Sequence, residues 1–264
     1  MRAGKTRRGA LRLAAVACAI AVTAIATAAA TGRPIFVQTG DLEITFNAVV
    51  KPKTLPRSKR APIAVSVSNR IATKGTAHIP AITRAAIEID KSIAVDSRGV
   101  PVCSSGQLEN QTTEAAEVAC RQALVGSGSA GLEIAMPGGE PIRTQSRLLV
   151  FNGGVSGKAT TIFVHAYITV PVVQAIVVPV TLTKRKGAYG LRARVTVPEI
   201  ASGTGSLTAF DLSFKRQVAT NGGGKHGYLL AKCSDGNLVF EPEASFADGG
   251  LARGLLALGC TPAG

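Results

Sequence analysis

Apolar and polar positions alternate with a period of two along much of the chain, the pattern of strands with one buried face. Leu42-Glu43-Ile44-Thr45-Phe46 alternates and leads to Val50-Lys51-Pro52, and Ile162 to Val170 alternates and ends at Val170-Pro171. Ala61-Pro62-Ile63-Ala64-Val65-Ser66-Val67-Ser68 and Val178-Pro179-Val180-Thr181-Leu182-Thr183 both place β-branched residues between small or polar ones after a proline, as at a strand start. Ile79-Pro80-Ala81-Ile82 answers to Val197-Pro198-Glu199-Ile200, and Ile87-Glu88-Ile89-Asp90-Lys91 to Phe210-Asp211-Leu212-Ser213-Phe214-Lys215. Finally Cys103-Ser104-Ser105-Gly106-Gln107-Leu108 returns as Cys233-Ser234-Asp235-Gly236-Asn237-Leu238.

The recurrence keeps its order. Prolines are offset by 117 or 118 positions (62 to 179, 80 to 198) and the cysteine turn by 130 (103 to 233), as in a duplication with one loop lengthened around Val218 to His226. The expected fold is all-β: two tandem, internally duplicated antiparallel β-sandwich-like units, residues 31–157 and 158–264, with a single larger β-sandwich as the alternative. Asn152-Gly153-Gly154-Val155-Ser156-Gly157-Lys158 reads as the flexible turn between them. One helix is predicted, near 112–124, where a Thr can cap the start, Glu114 and Glu117 favour the positive end of the dipole and Ala supplies propensity. It interrupts the first copy alone, as an insertion across one end of a sheet.

Composition adds a compartment. Residues 1–30 read as a signal peptide: Arg2, Lys5, Arg7, Arg8 and Arg12 precede the apolar stretch Leu13 to Ala26, and small residues around Ala26 to Ala30 offer a cleavage site. Cleavage leaves no stable membrane span, although a retained anchor and a twin-arginine route are both compatible with this segment. The whole chain carries 30 Lys and Arg against 16 Asp and Glu. Loss of the signal removes five basic residues, leaving 25 against 16, a net charge of +9. Outside a cell that excess points to an anionic cell-wall polymer or polysaccharide as partner. Nucleic acid is not expected, because no basic run alternates with aromatics and pairs such as Lys184-Arg185-Lys186-Gly187 sit in turns. Sugar-stacking faces are also sparse, with no Trp and only Tyr167, Tyr189 and Tyr228 besides Phe.

Four cysteines remain after export, an even number in an oxidising compartment. Each copy holds one in the shared turn and one downstream, which pairs Cys103 with Cys120 and Cys233 with Cys260. Loops of this length contribute about 3 to 4 kcal/mol each in the chain-entropy model. No Cys-x-x-Cys is present, and His78, His165 and His226 are scattered, so no metal or other cofactor is expected. Gly126-Ser127-Gly128-Ser129-Ala130-Gly131 has the three glycines of a dinucleotide fingerprint, but the helix precedes it and a strand follows, the reverse of what that site needs; it reads as a flexible connection. Asn221 to His226 reads as a hairpin loop rather than a phosphate cradle. No catalytic, cofactor-binding or metal-binding residue is assigned. A triad assembled in space would leave no local signature.

Tyr228 to Leu238, followed by Phe246-Ala247-Asp248-Gly249 and Cys260-Thr261-Pro262, resembles a group of uncharacterised exported β-rich proteins of high-GC bacteria. The resemblance implies export and a β-rich fold over most of the mature chain, and carries no activity. The expected function is therefore an exported, non-catalytic binding or structural protein, secreted or associated with the cell envelope and acting through its basic surface. The alternative is an exported hydrolase, marked by a pocket in which His78, His165 or His226 lies within hydrogen-bond reach of a Ser or carboxylate.

Overall fold

Thirteen strands form one antiparallel sheet: β1 (Ile35–Thr39), β2 (Leu42–Lys51), β3 (Ala64–Thr73), β4 (Ile82–Asp90), β5 (Leu124–Ile134), β6 (Ile142–Ser156), β7 (Ala159–Ile168), β8 (Gln174–Lys184), β9 (Tyr189–Thr196), β10 (Gly205–Phe214), β11 (Asn237–Phe246), β12 (Leu251–Arg253) and β13 (Leu256–Gly259). The computed structural model describes residues 34–75, 77–219 and 225–264; the expected signal peptide lies outside them. Twelve strands follow one path, β1-β2-β3-β10-β5-β6-β7-β8-β9-β4-β11-β12, and β13 pairs with β11.

That path corrects the expectation of two tandem sandwich units. The first half contributes β2, β3, β5 and β6, but the strand between β3 and β5 is β10, from the second half. Reciprocally, β4 of the first half lies between β9 and β11 of the second. The two segments matched by sequence, Ile87 to Lys91 and Phe210 to Lys215, thus trade places. A strand needs both edges paired when it is buried in a sheet, so each half completes the other's ladder. The result is one near-closed barrel.

The barrel closes where β12 returns to β1. Gly254 lies against Ile35, so closely that a Cβ there would meet Ile35 Cδ1 at 3.1 Å. Ile35, Phe46 and Ala48 share a core with Leu256 and Leu258. Beyond the ends of β2 and β13, Thr54–Pro56 and Thr261–Ala263 pair in parallel, so backbone hydrogen bonds also cross the seam. A three-stranded ribbon of Ala61–Pro62, Leu229–Ala231 and Ile93–Val95 fills the same end. Buried Asn152 ties this filling to β6: its amide donates to the Val100 and Pro101 carbonyls at 3.1 and 3.0 Å, and its Oδ1 accepts from the Tyr228 hydroxyl at 3.3 Å.

Alternation sets inside from outside. In β2, Leu42, Ile44, Phe46, Ala48 and Val50 are buried while the residues between them face out. The outer surface carries exposed Arg70, Asp211, Arg147 and Arg194; a barrel facing lipid needs an outer apolar band instead. Among the described residues no helix is long and apolar enough to cross a membrane. The run Leu148-Leu149-Val150-Phe151 breaks the alternation because both of its faces are covered.

Its outer face is covered by helix α1 (Thr113–Ala119), which is followed by a 3-10 turn at Arg121–Ala123. Thr112 caps it, its hydroxyl accepting from the Ala115 N–H at 3.2 Å. Rather than crossing an end of the sheet, α1 lies on the barrel's side: Leu108, Ala116 and Cys120 pack on Leu149 and Phe151, with Phe163 and Val177 at the margin. The cystines join Cys103 to Cys120, at the base of this insertion, and Cys233 to Cys260, near the seam.

Two further segments differ from expectation. Gly126 to Gly131 is the middle of β5, not a connection, and its glycines allow close strand approach: a Cβ at Gly128 would lie 1.7 Å from the Asp211 carbonyl oxygen. Residues 152–156 belong to β6, leaving only Gly157 and Lys158 as the turn into β7. Gln217–Ala219 pairs with Lys225–Gly227, so a hairpin does flank residues 220–224.

The exchange of β4 and β10 has a direct consequence. Fragments 31–157 and 158–264, expressed apart, should each lack cooperative urea unfolding, whereas mixing them should restore it. Cooperative unfolding of either fragment alone would show that a half is self-sufficient.

His165 gives a second test. It is fully buried on β7, beneath the insertion, where Nε2–H donates to the Gln111 carbonyl at 3.0 Å. Burial holds its pKa below the ordinary value near 6.5. The unfolded chain therefore accepts a proton near pH 6.5 that the folded chain refuses, and stability should fall as pH drops below that value. Urea midpoints at pH 8 and 5 should show this loss, with a smaller pH difference in His165→Asn.

Candidate active site

The rim at the start of β10 assembles a polar cluster from three distant segments. Ser206 is the second residue of β10 and stands opposite Glu133 of β5 in the ladder. Gly205 before it is pressed by Ile200, whose Cγ2 would lie 2.6 Å from an added Cβ, so this strand start is tightly held. His78 arrives from the connection between β3 and β4. That connection is anchored at both sides: the Thr73 hydroxyl donates to the Ala77 carbonyl at 2.8 Å, and the Ala247 N–H to the Ala81 carbonyl at 2.8 Å.

His78 joins the other two residues. Its Nδ1 is 3.0 Å from Glu133 Oε1, and its Nε2 is 3.2 Å from Ser206 Oγ. A carboxylate can only accept here, so Nδ1 carries the proton in the neutral ring and Nε2 is left as an acceptor for the serine hydroxyl. Arg143 Nε donates to the second oxygen, Glu133 Oε2, at 3.1 Å. Glu133 is 5% exposed although it sits on the outer face of β5, because His78 and its connection cover it. The carboxylate is thus held from both sides and orients the imidazole.

Ser206 is 1% exposed, and its Oγ is also 2.5 Å from the Ile79 carbonyl. One hydroxyl proton serves two acceptors. In the described state the carbonyl has the shorter contact, and the hydroxyl is shielded from solvent. A cleft of about 980 Å³ lies alongside, lined by Ile79 and Glu133 together with Arg70, Gly131, Glu140 and Arg143; Ser206 and His78 lie behind this lining and are not part of it. Its two Arg side chains supply positive charge beside the buried carboxylate.

The other histidines lie elsewhere. His165 is sealed under the α1 insertion. His226, at the opposite end, has Nε2 3.1 Å from Asp96 Oδ1. Arg98 grips that same carboxylate through Nε at 2.9 Å; this hydrogen bond leads the interactions that hold the Asp96 pKa down to about 2. A smaller cleft of about 480 Å³, lined by Ser105, Glu109, Asn110 and Phe163 among others, borders the helix and contains no histidine. Among the described residues no group of three or more His, Cys, Asp or Glu is placed to hold a metal ion.

Of the cluster, the sequence marked only His78. Glu133 had one legible sign, a carboxylate between Leu132 and Ile134 in a strand whose neighbours are buried. Ser206 had none, since its role depends on β10 pairing with a strand from the other half. Comparison with known proteins finds no matching family model, no matching curated relative and no matching solved structure, so the resemblance to exported proteins extends here only to the β-rich architecture.

Proposed function

We propose that this chain is an exported acyl hydrolase in which Ser206 is the nucleophile, His78 the general base and Glu133 the residue that orients the base and stabilises its protonated form. The observation that carries this reading is the continuous chain from Ser206 Oγ through both nitrogens of His78 to Glu133, beside a cleft. Of the two functional expectations, the hydrolase is the one with specific geometry behind it. The partner expected from charge, an anionic wall polymer or polysaccharide, remains compatible with it.

The chemistry follows from the positions. Ser206 Oγ attacks a carbonyl carbon as its proton passes to His78 Nε2; Glu133 stabilises the resulting imidazolium, and the same proton then goes to the leaving group. Water repeats the sequence to release the acyl group. Arg143 holds Glu133 in place through its hydrogen bond to Oε2. Arg70, exposed on the outer face of β3, is positioned to attract an anionic portion of the substrate into the cleft. Before attack the Ile79 carbonyl must give up its contact with Ser206, which opens the hydroxyl towards the cleft that Ile79 itself lines. The site is closed in the state described, so reactivity should be slow until a substrate displaces that carbonyl.

Labelling provides the test. A fluorophosphonate probe should add covalently to Ser206, as read by peptide mass spectrometry, and His78→Ala should reduce the labelling rate by about 100-fold or more. Hydrolysis of p-nitrophenyl acetate should disappear in Ser206→Ala and weaken in Glu133→Gln, with circular dichroism confirming that each variant is folded. Folded wild-type protein that neither labels nor hydrolyses, or activity that survives Ser206→Ala, would make the cluster a structural tie for the connection after β3.

A further inference from the structure

The two ends of the barrel differ in charge. Strands β2, β4, β6, β8 and β10 all finish at one end, as their registers with β3, β9, β7, β9 and β5 require. The connections there, residues 52–63, 91–123, 157–158, 185–188 and 215–236, hold 14 Lys and Arg against 5 Asp and Glu. The connections at the other end, residues 40–41, 74–81, 135–141, 169–173, 197–204 and 247–250, hold 1 against 4. The net charge is therefore concentrated on one rim, opposite the Ser206 cluster.

The basic side chains on that rim are largely uncommitted. Lys53, Lys59, Lys158, Lys186 and Lys215 are exposed and make no ion pair among the described residues. They come from four separate connections around the circumference. Two of the five carboxylates are already neutralised, Asp96 by Arg98 and Glu117 by Arg147. Like charges brought together by folding repel one another, and a polyanion relieves that repulsion while releasing its own counterions.

We infer that the basic rim docks a linear, phosphodiester-bearing polymer of the cell wall. A bilayer fits this rim less well: its exposed valines, Val102, Val118 and Val155, come singly from separate segments, whereas the contiguous exposed apolar loop Val170, Val172 and Val173 lies on the opposite end and would remain in water. A linear polyanion needs only charge along its path, which separate lysine-bearing connections provide. Docking of this kind turns the Ser206 cluster and the cleft beside it away from the bound polymer, so the polymer serves as an attachment and the hydrolysed group comes from elsewhere. The inference does not depend on Ser206 being catalytic.

Sedimentation with purified cell wall separates the outcomes. The protein without its signal should be retained by wall that keeps its phosphodiester polymer and released from wall stripped of it, and retention should fall at least about tenfold between roughly 50 and 200 mM salt. Lys53→Glu, Lys59→Glu and Lys186→Glu combined should weaken retention at least about tenfold at low salt, whereas Lys74→Glu at the opposite end should not. Equal retention by stripped wall, salt-insensitive retention, unchanged retention by the folded triple variant, or preferential binding to phosphatidylglycerol vesicles over wall would overturn the proposal. Ser206→Ala should bind as the wild type does, so this result stands apart from the test of hydrolysis.

Discussion

The pairing of β10 between β3 and β5 is the contact on which the other features of the barrel depend. β10 forms ladders with both neighbours along most of its length, and all three belong to positions far apart in the chain. Without it, β3 and β5 would each present an unpaired edge, and the inward row Val65, Val67 and Ile71 would lose the neighbour that continues it. The complementary placement of β4 does the same for β9 and β11. Unpaired backbone groups buried at such an edge cost about 1 to 3 kcal/mol each. Two reciprocal exchanges therefore couple the halves far more strongly than a packed interface between finished sandwiches would.

The same exchange makes the Ser206 cluster. Register places Ser206 opposite Glu133 because β10 has left its own half to pair with β5. The connection preceding β4 must then span the rim from β3 to a strand in the other half-sheet, and on its way it carries His78 across both residues. The polar cluster is thus a by-product of the topology, located where three parts of the chain meet. Its buried carboxylate is matched by Arg143 and His78, which satisfies the electrostatic requirement for placing a charge at so shielded a position.

Local pattern accounted for the strands and their faces, because alternation depends only on which side is buried. It identified β2, β3, β4, β7, β8 and β10 as strands, and a helix near 112–124 with a Thr at its start, which the structure shows to be Thr112. Partner choice is a different kind of information. Segments Ile87 to Lys91 and Phe210 to Lys215 share a pattern, so each fits either half of the sheet, and nothing in the alternation distinguishes staying from exchanging. The glycines of β5 misled for a related reason: read locally they loosen a chain, whereas between two strands they allow the Gly128 backbone to approach the Asp211 carbonyl. Ser206 and Glu133 were invisible as a pair because their proximity is a property of register.

Charge was legible as a total but not as a direction. A net excess of Lys and Arg spread through the sequence says nothing about where it collects in space. Antiparallel strands convert sequence order into alternation between two rims, since successive connections must fall at opposite ends. The basic residues lie mainly in every second connection, at Lys53 to Arg60, Lys158, Arg185 with Lys186, and Lys215 with Arg216. Alternating strand direction therefore sorts them onto one rim although they are spread over separate stretches of the sequence. The intervening connections are short and weakly acidic, and it is among these that His78 lies. Separation of a charged rim from a shielded polar cluster thus follows from strand direction, and the two can change independently.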